Sequence, residues 1–171
     1  MFQRTMSSQR PSAAVLVLLW GSPRHVLLER KNCSLKSRFA CDVALPGGLI
    51  RKGETPEQAA LREAWEEAWV HPRLVRVHGR LGTFSTLSEP KIYTEAIVAE
   101  LNGPVDPMPR DPEVDAVFWV NINNLKEPSL VEHRRRGAVR GVLLGNDLVL
   151  WGLTLRILEK LKETSWINER Y

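Results

Sequence analysis

The chain is poor in cysteine and in long apolar runs. Only Cys33 and Cys41 occur, eight positions apart, a spacing that matches no zinc-ligand pattern. Both are expected as free thiols in a reducing compartment. The four histidines, His25, His71, His78 and His133, show no metal spacing either and read as surface or packing residues. No apolar stretch approaches the roughly 20 residues needed to cross a bilayer, and the longest, Ala13–Trp20, has strand length. This argues for a cytoplasmic protein without a membrane partner. The first dozen residues are basic and serine-rich but carry no apolar segment, which argues against a secretory signal. Residues 1–12 are therefore expected to be disordered, and 13–171 to form one domain. No internal repeat is visible.

Charge of one sign is in moderate excess. The formal net charge is +4 and the sequence pI about 9.3, which suits a polyanionic partner such as a nucleotide, a diphosphate or RNA.

The pattern of apolar runs and breakers predicts the elements. Ala13–Trp20 and His25–Arg30 read as strands joined by Gly-Ser-Pro-Arg, and Phe39–Leu45 as a third strand closed by Pro46-Gly47-Gly48. A helix follows, with Thr55 as N-cap, Pro56 at its first position and Gln58 completing a capping box. It should end near Trp69, because His71 precedes Pro72. Further strands are expected at Leu74–Leu81, Ile92–Leu101 and Val114–Val120, with a proline-rich loop over Pro104–Pro112. Arg134–Arg136 and Arg140 fall in a stretch expected to be irregular and mobile. Asp147–Lys162 has Trp151, Leu155, Leu158 and Leu161 at helical spacing. Strands, a helix, more strands and a terminal helix point to an α+β fold, an α/β/α sandwich.

What the first helix lacks is as informative as what it holds. Glu63, Glu66 and Glu67 crowd its last turns with no lysine or arginine after them before Trp69. Like charges three and four apart cost roughly 0.2–0.5 kcal/mol per pair, and carboxylates oppose the negative end of the helix dipole. Local rules broken in one place are expected at functional sites. Clustered hard oxygens invite a divalent cation such as Mg²⁺. With Leu61 as zero, Ala64, Trp65 and Ala68 fall within about 60° of it and the glutamates at about 140–240°. The apolar stripe is thus expected against the sheet, with the three glutamates on the opposite face as one patch.

Gly48, Glu54, Arg62, Glu63, Glu66 and Glu67 fit the signature G-x5-E-x7-R-E-U-x-E-E-x-G-U of the Nudix hydrolases, where U is a bulky aliphatic residue. The chain resembles that family in register over 20 residues. Ala64 is smaller than the usual aliphatic, and Trp69 stands where the family has the glycine that permits a left-handed helix exit. The resemblance implies a mixed β-sheet flanked by helices and hydrolysis of a nucleoside diphosphate linked to another moiety. It implies Glu63 and Glu67 as ligands of Mg²⁺ or Mn²⁺, with the Gly47 carbonyl as a further ligand. Glu66 would ligate a metal or orient a water, and Glu54 would pair with Arg62. Clustered cations would neutralise the diphosphate and activate a water with the help of a glutamate. Family members are often homodimers.

Two further stretches resemble the coenzyme A diphosphatase branch. Val26–Asn32 ahead of Leu45–Gly48 is similar to its LLTxRS…FPGG motif, with Lys31 in place of Ser and Leu45 in place of Phe. Leu150–Leu161 is similar to its IWGxTAxIL helix, and Pro112–Leu125 to its penultimate strand and loop. The resemblance implies coenzyme A or a derivative as substrate, with Arg30, Lys31, Lys36 and Arg38 available to its phosphates. Gly47 and Gly48 would also border the substrate, and Glu113 would approach the metals. ADP-ribose, a dinucleotide or a nucleoside triphosphate is the alternative substrate. A catalytically silent nucleotide- or RNA-binding module is the alternative class, disfavoured by the intact glutamate set.

Overall fold

The computed structural model describes residues 9–145 and 147–168. Most of the expected disordered N-terminus lies outside them. Ser12 itself is tied into the sheet, its amide donating to Tyr93 O and its carbonyl accepting from Ile50 N, each at 2.9 Å.

The elements run β1 (Ala13–Trp20), β2 (His25–Lys31), β3 (Val43–Ala44), β4 (Gly47–Leu49), α1 (Pro56–Ala68), β5 (Val75–Ser85), β6 (Tyr93–Leu101), β7 (Val114–Asn121), β8 (Ser129–His133), β9 (Gly137–Leu143), β10 (Val149–Trp151), α2 (Gly152–Lys162) and α3 (Ser165–Asn168). Seven strands form one mixed sheet. Its path is β3-β2-β1-β6-β5, with β4 added on β1 and β7 on β2. Among the described residues only β1 and β6 pair in parallel. Strands β8, β9 and β10 make a separate antiparallel sheet. The expected α+β architecture with a flanked mixed sheet is present.

Alternation along the central strands sends side chains to two cores. Val17, Leu19, Val26 and Leu28 pack with Leu155, Leu158 and Leu161 of α2 and with Leu150. Ala14, Leu16, Leu18 and Leu27 pack with α1 on the other face. The α1 surface there is almost all alanine: Ala59, Ala60, Ala64 and Ala68 are buried. Residues this small let the helix axis approach the sheet closely.

Several expected boundaries shift. Of Phe39–Leu45 only Val43–Ala44 is strand, because Cys41 takes a left-handed φ of 66° and turns the chain. The same turn overrides the expectation of free thiols. The Cys41 amide donates to Lys31 O at 3.1 Å, closing residues 32–41 into a loop, and Cys33 and Cys41 form a disulfide with Cα atoms 4.4 Å apart. The expected helix over Asp147–Lys162 divides. Val149–Trp151 pairs with β9, and the helix starts only at Gly152, whose φ is +59°. Trp151 instead donates from Nε1 to Asp42 at 3.1 Å. The arginine stretch is ordered rather than irregular. Arg134–Arg136 form the β8–β9 turn, Arg135 donates to Cys33 O at 3.0 Å, Arg136 donates to Arg38 O, and Arg140 pairs with Glu159 at 2.7 Å.

The close approach of α1 gives a test. Ala60→Leu should lower the unfolding free energy by about 1–3 kcal/mol through overpacking, read as a reduced urea midpoint at unchanged slope. A neutral substitution would mean that the alanine face does not set the helix–sheet distance.

Candidate metal centre

The N-terminus of α1 forms as its sequence dictates. Thr55 Oγ1 accepts from Gln58 N at 3.1 Å, Gln58 Oε1 accepts from Thr55 N at 3.0 Å, and Pro56 opens the helix. This fixes the loop of residues 47–54 against the helix flank, where Arg62 gathers it. Arg62 Nε and Nη2 donate to the two oxygens of Glu54 at 2.6 and 3.1 Å, and Nη2 also donates to Leu49 O at 3.0 Å. Its Nη1 donates to Glu63 at 2.7 Å and to Glu66 at 3.2 Å. These hydrogen bonds, followed by one from the Arg51 amide, hold the Glu54 carboxyl down at about 2.

Gly47 is required by contact rather than by backbone angle, and Gly48 leaves room for a carboxylate. A Cβ on Gly47 would lie 2.4 Å from Ala14 O, inside the β1–β4 pairing. A Cβ on Gly48 would lie 2.5 Å from Glu63 Oε1 and displace that carboxylate. The Gly47 amide donates to Glu67 Oε1 at 3.3 Å. Glu63 and Glu67 therefore both reach the Gly47–Gly48 backbone.

The glutamates do not share one exposed face. Glu67 is 5% exposed, whereas Glu66 is 40% exposed at its side chain. The buried side of α1 is centred on Ala60, Ala64 and Ala68, about 60° round from Leu61 toward Glu67. That rotation buries Glu67 and moves Trp65 off the core.

A residue not singled out by sequence completes the inner side. Glu29 on β2 is fully buried beside Glu67. Lys31 Nζ donates to Glu67 Oε2 at 2.7 Å and sits 2.7 Å from Glu29 Oε1, although neither Glu29 oxygen has a directed hydrogen bond among the described residues. The signal was the strand period. Leu27, Glu29 and Lys31 alternate onto the face that α1 covers. Burial, then the Glu29 carboxylate, pushes Glu67 up to about 8 against the pull of Lys31. Burial also raises Glu63, which Arg62 opposes. For Lys31, burial favours the neutral amine, but Glu29 and Glu67 outweigh it and raise its pKa.

Among the described residues no three acidic, His or Cys groups are disposed as a finished metal cage; the chain's own cations hold the oxygens. The donor set still fits a hard divalent ion. It consists of the carboxylate oxygens of Glu63, Glu66 and Glu67 beside the half-exposed backbone of Gly47 and Gly48.

The other predicted site residues are placed as follows. Arg30 pairs with Asp115 at 2.6 Å. Arg38 donates to Ser88 Oγ, Glu89 O and Pro90 O at 3.3, 3.1 and 2.9 Å. Lys36 and Glu113 are exposed, and Glu113 O accepts from Asn32 N at 2.8 Å. Lys31 faces carboxylates rather than solvent.

Trp69 resolves the missing glycine by taking the left-handed conformation itself, with φ 59° and ψ 32°. Its ring stacks on Trp65 at 4.7 Å, and Arg110 lies 4.4 and 4.2 Å from the two ring centroids. The Arg110 and Met108 amides cap Glu67 O and Ala68 O. Beside this stack is a cavity of about 490 Å³, with Trp65, Trp69, His71, Leu74 and Met108 in its wall. Left-handed backbone costs about 1–2 kcal/mol for a residue with a Cβ. The stack and cation–π contacts return about as much.

Trp69→Gly should therefore change stability by less than about 1 kcal/mol, while Trp69→Ala, which keeps the strain and loses the contacts, should cost about 1–2 kcal/mol. Urea denaturation of the pair checks this, and equal losses would refute the compensation. The raised Glu67 gives a pH test. Folded protein keeps, up to about 8, a proton that the unfolded chain releases above the ordinary carboxyl value of 4.5. Metal-free stability from this group is complete below the lower value and is lost as pH rises through the upper one. A divalent ion needs the ionised carboxylate, so the thermal shift produced by Mn²⁺ should grow over that window. Melting curves with and without Mn²⁺ at about pH 5.5 and about pH 8 measure it; a shift that shrinks with pH would contradict the assignment.

The fold agrees with known proteins. An ADP-ribose pyrophosphatase of Methanocaldococcus jannaschii is 30% identical over 116 residues, 67% of this chain and 64% of that protein. The chain thus spans under two thirds of that relative. An uncharacterized Nudix hydrolase, NudL, of Yersinia pestis is 27% identical over 166 residues, covering 92% of this chain and 81% of that protein. The crystal structure of a Nudix hydrolase from M. smegmatis, RenU, superposes with a TM-score of 0.65 at 21% identity over 95% of this chain and 89% of that one. The NUDIX domain profile matches residues 10–140, the segment that contains both the loop and α1, and the chain belongs to that family.

Proposed function

We propose that the protein hydrolyses the diphosphate of a nucleoside diphosphate joined to a second group, with Mg²⁺ or Mn²⁺ held by Glu63, Glu66, Glu67 and the Gly47 carbonyl. The supporting observation is the convergence of Glu63 and Glu67 on the Gly47–Gly48 backbone, where a Cβ on Gly48 would displace the Glu63 carboxylate. When bound, the divalent ions would neutralise the diphosphate and lower the pKa of a water. The chain's own residues supply the frame. Arg62 keeps Glu63 and Glu66 from splaying apart and anchors the loop through Glu54. As the water oxygen bonds to phosphorus and the bridging P–O bond breaks, a carboxylate of the cluster takes the water proton. Two phosphate monoesters result.

Two substrates fit this chemistry. Coenzyme A, which would give 3′-phosphoadenosine 5′-phosphate and 4′-phosphopantetheine, is favoured by the Leu150–Leu161 stretch. Arg30 and Arg38 lend it less support, since both are engaged within the chain. ADP-ribose is favoured by the named activity of the M. jannaschii relative.

A panel of coenzyme A, ADP-ribose and a dinucleotide, each with Mg²⁺ and Mn²⁺, is the test. We expect turnover of coenzyme A or ADP-ribose, and Glu67→Gln should lower kcat by at least about a hundredfold, in keeping with loss of a metal ligand. Brisk ADP-ribose hydrolysis without coenzyme A turnover would decide for the second substrate. Unchanged turnover in Glu67→Gln would remove Glu67 from the centre, and no turnover with any divalent ion would favour a binding module.

A further inference from the structure

Strand β2 sends two charged residues to the face that α1 covers. Leu27 packs there in the core, and Glu29 and Lys31 follow at two-residue intervals. Glu29 is fully buried and Glu67 is 5% exposed. A buried charge needs a partner, and two facing carboxylates cannot both stay ionised without a cation between them. Lys31 Nζ lies 2.7 Å from Glu29 Oε1 and 2.7 Å from Glu67 Oε2, bridging strand and helix. The loop behind it is fixed on both sides, with Lys31 N donating to Asp42 O at 2.8 Å and Lys31 O accepting from Cys41 N. Arg62 performs the matching task at the outer end, on Glu54, Glu63 and Glu66. In the whole network five carboxylates, Glu29, Glu54, Glu63, Glu66 and Glu67, face three basic side chains, Lys31, Arg51 and Arg62. With all five carboxylates ionised the formal remainder is −2.

We propose that Lys31 is a built-in cation of this centre, a positioning residue whose ammonium keeps the inner place between Glu29 and Glu67 while divalent ions bind on the outer side, at Glu63, Glu66 and the Gly47-facing oxygen of Glu67. The inference rests on the reading of the site as a metal centre. Lys31 orients Glu67 so that Oε1, on the Gly47 side, remains available to a metal while Oε2 is held. It also restricts how many divalent ions the protein takes up, by filling one position with a monovalent charge that cannot dissociate.

The test counts metal rather than turnover. Free Mn²⁺ is followed by electron paramagnetic resonance during titration of the wild type, Lys31→Gln and Lys31→Arg. Lys31→Gln, which keeps length and removes charge, should bind one more Mn²⁺ per chain or bind the same number at least tenfold more tightly. Lys31→Arg should behave as the wild type. Unchanged stoichiometry and affinity in Lys31→Gln would overturn the proposal. Should that variant not fold, the wild type labelled with ¹⁵N-lysine decides alone. A protected Lys31 ammonium resonance should persist at saturating Mg²⁺, and its disappearance would show a placeholder that metal displaces. Failure of the wild type to bind Mn²⁺ at all would sink the metal-centre reading, and with it this inference; binding that ignores Lys31 would sink the inference alone.

Discussion

The site depends on one guanidinium. Arg62 is the group through which the loop of residues 47–54 and the carboxylate end of α1 share a single geometry. Its planar fork accommodates both Glu54 oxygens on one side and Glu63 with Glu66 on the other, which the point charge of a lysine could not do. Without it the loop would lose its tie through Glu54 and Leu49, and Glu54 and Glu63 would lose the guanidinium that pairs with them. The capping box and Pro56 determine where the helix begins, and so where Arg62 and the glutamates stand relative to the loop.

Charge compensation is divided between two elements of different rigidity. Arg62 lies on the helix beside the acids it holds, whereas Lys31 is built into β2, a strand paired on both sides by β1 and β7. The outer carboxylates can therefore move with their helix, while Glu67 is referenced to the sheet. Burial differs in the same sense, with Glu67 enclosed and Glu66 partly open to solvent.

Much of this was legible in the sequence where local rules act alone. Thr55, Pro56 and Gln58 mark the start of α1 by the hydrogen bonds they make, and the central strands follow from their apolar runs. The Gly48–Glu67 spacing identifies the cluster. What was not legible depends on packing between distant segments. Trp65 reads as core by hydropathy, yet alanines take the contact with the sheet and leave it beside Trp69. Glu29 reads as a surface charge in a strand until the helix is laid over it. The Cys33–Cys41 bond requires the turn at Cys41, and Trp151 is drawn out of the terminal helix by a strand partner and by Asp42. Trp69 holds a backbone conformation that glycine normally serves because its ring is paid back by neighbours from a later loop.

The alanine face of α1 carries a consequence for variation in this protein. The small side chains of Ala60, Ala64 and Ala68 set the spacing of helix and sheet at which Lys31 reaches both Glu29 and Glu67. Side chains with no polar atom thus calibrate the electrostatics of the centre. A change deep in the hydrocarbon layer would therefore alter the Glu29–Lys31–Glu67 contacts together with the stability of the fold.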